Sequence, residues 1–336
     1  MGYRLSGEQF DRFLDRLKEN YRVFGPAVDR DKGNYTDMDR VTYKEIHRLD
    51  DLELNRKSYF SPKEIFYPIR ETLFQFCEGE TRVPAIDEKK TAIFLRPCDI
   101  NGIDRLDTIF LENGPFEDFY YKRRRDKVKF FMIECTSGFD SCFCASMKAN
   151  RTERRDVTFR FGDEILAEVK SEEFVPYFEG MAQKPFEVRF VEKNRMKVRL
   201  PEVADVTVEH FQHELWKEYT ARCIACGRCN TSCITCSCFT MRDASFAGGK
   251  IGERRRTWAG CHVNGFTDMA GGHGFRGPRG ERMRFKTMHK INDYHKRFGK
   301  HQCVGCGRCE DVCPQYISFA RCINTLFDVV REGKSK

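Results

Sequence analysis

No apolar run in the chain approaches the roughly 20 residues needed to cross a bilayer. The N-terminus is equally poor in apolar residues. Met1-Gly2-Tyr3-Arg4-Leu5-Ser6 leads into a polar amphipathic segment and has none of the hydrophobic stretch of a secretion signal. These two absences exclude a membrane-spanning reading and a secreted one, and they place the chain in the cytoplasm by expectation. A dinucleotide fold is missing too. Gly272-His273-Gly274-Phe275-Arg276-Gly277 matches G-x-G-x-x-G, but a dinucleotide fingerprint sits between a strand and a helix; here Thr267–Ala270 precedes it and Pro278-Arg279-Gly280 follows, so it reads as a glycine-rich loop. No histidine, His262 and His273 included, sits in a recognisable triad or metal pair, and no residue is assigned a catalytic role.

What the chain has is cysteine. Seventeen cysteines in 336 residues with no secretion signal are not a disulfide framework, because a reducing compartment keeps thiols free and clustered thiols there bind metal. The length gives room for two ordinary domains, and 40% hydrophobic residues suffice for packed cores.

Local patterns give the expected architecture. Ser6 and Gln9 form a capping box ahead of Phe10, Phe13, Leu14 and Leu17 at helical spacing. A second helix is expected from Ser61, with Pro62 at its first position and Glu64 closing the box. Thr91–Leu95 and Val128–Ile133 read as strands, each delivering a cysteine (Cys98, Cys135) just past its carboxyl end, with a helix from Ile100 to Phe110 between them. Sites in such sheets gather beyond the strand carboxyl ends. Alternation in Val157–Phe161 and Phe186–Phe190 predicts antiparallel strands. Leu200-Pro201-Glu202 looks like a joint, and a helix from about Val206 to Thr220 leads into the cysteine-rich half. The expected fold is therefore α+β: a mixed α/β domain over residues 1–203, then a mostly helical, cysteine-rich domain over 204–336.

Two complete C-x2-C-x2-C-x3-C runs carry the chemistry. One is Cys223, Cys226, Cys229 and Cys233; the other is Cys303, Cys306, Cys309 and Cys313, ending in the proline Pro314. Three cysteines two residues apart wrap a loop around three irons of a cubane, and the small residues Gly227 and Gly307 allow backbone amides near the sulfurs. The fourth cysteine points to the partner cluster. One 4Fe–4S set is thus Cys223, Cys226, Cys229 and Cys313, and the other is Cys303, Cys306, Cys309 and Cys233. Zinc would use two C-x2-C pairs and leave two cysteines of each run without a purpose. The long gap from 234 to 302 excludes a compact small ferredoxin and suits a helical dicluster domain.

Cys98, Cys135, Cys142 and Cys144 remain in the first half, where four thiols at one sheet edge suit a third cubane, a redox-active pair or small buried hydrophobes. Cys236 and Cys238, directly after a ligand, line a cluster, replace a ligand or simply pack; packing is the simplest reading for each of them and for Cys261. Cys77 and Cys322 read as isolated thiols. The formal charge of +8 counts thiols as neutral; three clusters at about −2 each would bring it to roughly +2. The runs Lys122–Arg125 and Arg254–Arg256 then read as solvated or cluster-balancing residues, or as a docking face. No nucleic-acid module accompanies them, so no nucleic acid is expected as a partner.

With these residues in hand, the chain resembles the iron–sulfur subunit family of the anaerobic sulfite reductase and, more distantly, the beta subunit of cytoplasmic sulfhydrogenases. The likeness is strongest in Cys98-Asp99-Ile100, Cys142-Phe143-Cys144, Arg254–Ala259, Asp268–Arg276 and Cys303–Cys309; Met269–Arg276 and Cys313–Ile317 favour the sulfite reductase branch. The resemblance implies a complex of three different chains. A flavin (FAD) subunit would take electrons from NADH, this chain would relay them, and a siroheme subunit would reduce sulfite to sulfide. It also implies a third 4Fe–4S cluster on Cys98, Cys135, Cys142 and Cys144. Ile234 departs from the family pattern, which has proline there; the change touches the local turn and leaves every thiol in place.

Overall fold

The structure is a computed structural model that describes residues 1–33, 38–77 and 79–333, without the side chain of Ala247. The chain opens with β1 (Gly2–Leu5), α1 (Gly7–Asn20), β2 (Tyr21–Asp29) and β3 (Arg40–Glu45). A hairpin of β4 (Arg70–Cys77) and β5 (Glu80–Arg82) follows, then β6 (Lys90–Leu95), α2 (Pro97–Leu111), α3 (Phe119–Arg125) and β7 (Val128–Ile133). Next come β8 (Val157–Arg160), β9 (Ile165–Val169) and β10 (Ala182–Gln183). The remainder carries α4 (Val208–Gln212), α5 (Lys217–Arg222), α6 (Arg228–Thr231), β11 (Phe239–Phe246) and β12 (Ile251–Trp258). It ends with α7 (Arg279–Met288), α8 (Tyr294–Phe298), α9 (Arg308–Asp311) and α10 (Phe319–Gly333).

The chain divides into two compact units, each discontinuous in sequence. The first comprises Met1–Phe66, Asp87–Arg195 and Val304–Arg308; the second comprises Tyr67–Ile86, Met196–Cys303 and Cys309–Lys336. The expected joint at residue 203 falls inside the segment Met196–Cys303, and the second unit also takes Tyr67–Ile86 because β4 hydrogen-bonds to β12.

The first unit is built on an eight-stranded mixed sheet in the order β10-β1-β9-β8-β7-β6-β2-β3. Its centre, β2, β6, β7 and β8, is parallel, and its margins are antiparallel. As the sequence predicts, α1 begins at a capping box: Ser6 Oγ accepts from the Gln9 amide at 3.2 Å, and Gln9 Oε1 accepts from the Ser6 amide at 2.8 Å. Its apolar stripe, Phe10, Phe13, Leu14 and Leu17, is fully buried against Phe94, Phe131, Phe159 and Phe178. Each such side chain contributes on the order of 1.5–3 kcal/mol.

Four expectations need correcting. The helix from Ser61 is only a 3-10 turn, Pro62–Ile65, without a side-chain cap, since Pro68 bars Tyr67 from continuing it. Phe186–Phe190 forms no strand; it meets the sheet at one bridge, Cys135 with Phe190. The helix over 206–220 is broken at His213, whose extended backbone (φ −61°, ψ 143°) separates α4 from α5. The second unit is not simply helical: β11, β12, β4 and β5 make a four-stranded antiparallel sheet beside its helices. That sheet absorbs Arg254–Arg256. Arg254 pairs with Asp243 across β11 at 2.7 Å, and Arg256 with Glu71 across β4 at 3.0 Å, the latter pair buried. Among the described residues no helix is long and apolar enough to cross a membrane.

Candidate metal centres

In the first unit, the parallel strands β6 and β7 end side by side and hand the chain to cysteines. Cys98 is the second residue of α2, whose first position is Pro97, a residue preorganised for that place. Cys135 follows β7. Cys142 and Cys144 lie in the next loop, which is pinned where the Phe143 amide donates to the Gly305 carbonyl at 2.8 Å. These four cysteines line one cavity, together with Cys306, Arg96 and Arg308. Asn194 fixes the loop's exit: its Oδ1 accepts from the Ala145 amide at 2.8 Å and stands 3.6 Å from Cys144 Sγ. The Phe139 amide donates to Cys142 Sγ at 3.4 Å. Burial, and then the neighbouring sulfurs of Cys142 and Cys135, push the Cys144 thiol up to about 12. Cys98 is raised by burial and then by Asp99 and nearby sulfurs. Thiols so crowded resist ionisation on their own, and a cationic iron centre is what would draw them into the thiolate form.

Two features of this site are not visible in the sequence. The first is the fifth cysteine, Cys306, from the second ferredoxin run; Cys142 Sγ lies 3.6 Å from its carbonyl oxygen. The second is a buried charge network under the cavity. Arg308 holds Asp99 through both carboxylate oxygens at 2.5 and 3.1 Å and donates to Ser58 Oγ at 2.9 Å, while Tyr43 donates to Asp99 at 3.3 Å. Gly305 and Gly307 serve close approach: both have positive φ (65° and 72°), and a Cβ would lie 2.6 Å from Phe143 backbone atoms and 2.2 Å from the Ser141 carbonyl oxygen, respectively.

In the second unit, Cys223, Cys226, Cys229 and Cys313 line one mostly apolar cavity, together with Cys309, His262 and Lys286. The Ala225 amide donates to Cys223 Sγ at 3.4 Å and the Ile317 amide to Cys313 Sγ at 3.3 Å, the kind of N–H···S contact that tunes an iron–sulfur site. His262 Nδ1 stands 3.6 Å from Cys223 Sγ. Burial, then Lys286 and Arg282, hold this histidine at about 3, so its ring is neutral. Of the other expected set, Cys233 Sγ lies 3.3 Å from the Thr235 hydroxyl that accepts from Lys290 Nζ at 2.8 Å, and Cys309 lines the same cavity as Lys286, whereas Cys306 belongs to the first unit. The Asn230 side-chain amide donates to Cys261 Sγ at 3.2 Å and to Cys236 Sγ at 3.7 Å, and Cys238 is among the groups that act on Cys261. Cys322 is fully buried and Cys77 exposed.

Among the described residues no three His, Cys, Asp or Glu side chains converge closely enough to hold a single metal ion. A cubane makes a different demand, thiolates set apart by the width of the cluster, and each of the two cavities is lined by five cysteines.

Comparison with known proteins bears on the family of the chain. A family described as a 4Fe–4S dicluster domain matches residues 222–317. Over 349 aligned positions the chain is 30% identical to sulfhydrogenase 2 subunit beta of Pyrococcus furiosus, with 98% of each chain covered. No solved structure matches. The chain carries a 4Fe–4S dicluster domain and belongs to the sulfhydrogenase beta-subunit family.

Proposed function

We propose that the chain is the iron–sulfur electron-transfer subunit of a cytoplasmic oxidoreductase complex, and that the complex is a siroheme sulfite reductase fed from NADH through a flavin subunit. On this reading Cys223, Cys226, Cys229 and Cys313 hold one 4Fe–4S cluster; Cys303, Cys306, Cys309 and Cys233 hold a second; and Cys98, Cys135, Cys142 and Cys144 hold a third. The observation that carries it is the convergence of cysteines 90 residues apart in sequence: Cys313 lines the same cavity as Cys223, Cys226 and Cys229, the crosswise pattern of a dicluster ferredoxin. A 4Fe–4S cluster supplies reversible one-electron transfer. The residues of the chain supply thiolates, amide donors to sulfur, and apolar walls such as Met283 and Phe319 that limit water at the second unit's cavity. Support for the sulfite reductase branch is the likeness in Met269–Arg276 and Cys313–Ile317.

The second reading, a subunit of a hydrogenase, is favoured by the 30% identity to a sulfhydrogenase subunit. Co-purification decides between them. Siroheme absorbance in the native complex supports sulfite reduction, whereas nickel in its place sinks it. Anaerobic iron and sulfide analysis tests the cluster count: three cubanes require about 12 irons per chain and two require about 8. A count of about 8 that Cys98→Ser leaves unchanged would remove the third site.

A further inference from the structure

Lysine is almost never fully buried unless it is paired, yet the second unit buries two, Lys286 and Lys290, each 3% exposed, four residues apart at the end of α7 and in the turn after it. Lys286 lines the cavity of Cys223, Cys226, Cys229 and Cys313, with its Nζ 4.7 Å from the centre of the Phe319 ring. The groups that most favour its charge are sulfurs: Cys229 and Cys309, then Cys261 and Cys236. Lys290 Nζ donates to Thr235 Oγ1 at 2.8 Å, and that hydroxyl lies 3.3 Å from Cys233 Sγ. The Thr235 carbonyl is tied down in turn by Gln302 Nε2 at 3.1 Å. Sulfur charge at Cys233, Cys236 and Cys303 favours the ammonium form of Lys290.

We propose that Lys286 and Lys290 are fixed buried cations that raise the reduction potentials of the two dicluster centres, Lys286 acting on both and Lys290 on the Cys233–Cys303 set alone. This rests on the cluster assignment given above. Reduction adds one electron to a cluster, taking its core from 2+ to 1+ and the thiolate-bound unit from about −2 to about −3, with no bond made or broken. A buried ammonium stabilises the more negative form, and burial spares that attraction from the screening that weakens surface charges. The asymmetry follows from position. Lys286 lines one cavity with a cysteine from each set, Cys229 and Cys309, whereas Lys290 is tied through the Thr235 hydroxyl to Cys233.

The test is an EPR-monitored redox titration of the full chain, anaerobically reconstituted, with dithionite as the electron donor. Lys286→Met should lower both dicluster potentials and Lys290→Met only one, each by at least a tenfold change in the oxidised-to-reduced ratio at fixed solution potential, which is about 59 mV for one electron. Lys286→Arg and Lys290→Arg should restore the wild-type values, a rescue that a purely steric role would not give. Methionine variants that keep their full iron and titrate like wild type overturn the proposal. So does loss of iron in the Met and Arg variants alike, which would assign the lysines to cluster assembly. A wild-type chain with fewer than two cluster signals would instead remove the cluster assignment itself.

Discussion

Consider replacing Asp99 by leucine. Its carboxylate is completely buried and grips Arg308 with both oxygens, at 2.5 and 3.1 Å, and the guanidinium is itself only 4% exposed. The guanidinium keeps Ser58 as a hydrogen-bond partner but loses its countercharge. Stranding one member of a buried ion pair costs about 3–5 kcal/mol, whereas removing both members in favour of well-packed apolar groups is often close to neutral. At about 2–4 °C per kcal/mol for a unit of 150–250 residues, Asp99→Leu should lower the unfolding midpoint by roughly 6–20 °C. Arg308→Met should do much the same, because it leaves a buried carboxylate with only the Tyr43 hydroxyl, 3.3 Å away. The double variant should recover most of the loss. The assay is thermal unfolding of the anaerobically purified chain by circular dichroism, read as a midpoint shift, since a chain of two units does not justify a single unfolding free energy. Two single variants whose effects add in the double, or a shift under about 2 °C for Asp99→Leu, would refute the reasoning.

Gly307→Ala should cut the iron content of the reconstituted chain, because a Cβ at φ 72° meets the Ser141 carbonyl oxygen at 2.2 Å; Gly248→Ala, also at positive φ but with open space around it, should keep its iron. Asn194→Ala frees the loop after Cys144, and iron analysis should then fall toward the two-cluster value of about 8 if the first-unit site is the one affected. Glu173 gives the acid response. Burial opposes its ionisation, but hydrogen bonds from Lys129, Lys90 and Tyr21 prevail and hold it at about 2, against an ordinary value of 4.5. A depressed carboxylate stabilises fully above its unfolded pKa and loses that contribution as pH falls through its folded one. Glu173→Gln should therefore lower the midpoint at pH 7 and converge with wild type as pH drops from about 4.5 toward 2. Parallel curves across that window would contradict it.

Much of this molecule was legible because its signals are local. The capping box at Ser6 and Gln9, the strands that end before Cys98 and Cys135, and the spacing of the two cysteine runs all depend on neighbours within a few residues. Two of the elements that failed did so for reasons equally local. Pro68 cut short the helix expected from Ser61, and His213 took an extended backbone that splits the helix over 206–220.

What the sequence determined by itself was a cysteine-rich iron–sulfur chain with a dicluster pattern and a cysteine-bearing sheet edge. Tertiary structure alone decided that Tyr67–Ile86 joins the second unit through β4 and β12, that Cys306 lines the first unit's cavity, and that Arg308 pairs with Asp99 across 209 residues. It also decided that Lys286 and Lys290 are buried among sulfurs, although each reads in the sequence as one more surface cation. The physical reason is the same in each case: ligand spacing and helix caps are set by covalent connection along the chain, whereas the partner of a buried charge is set by which distant segments pack together.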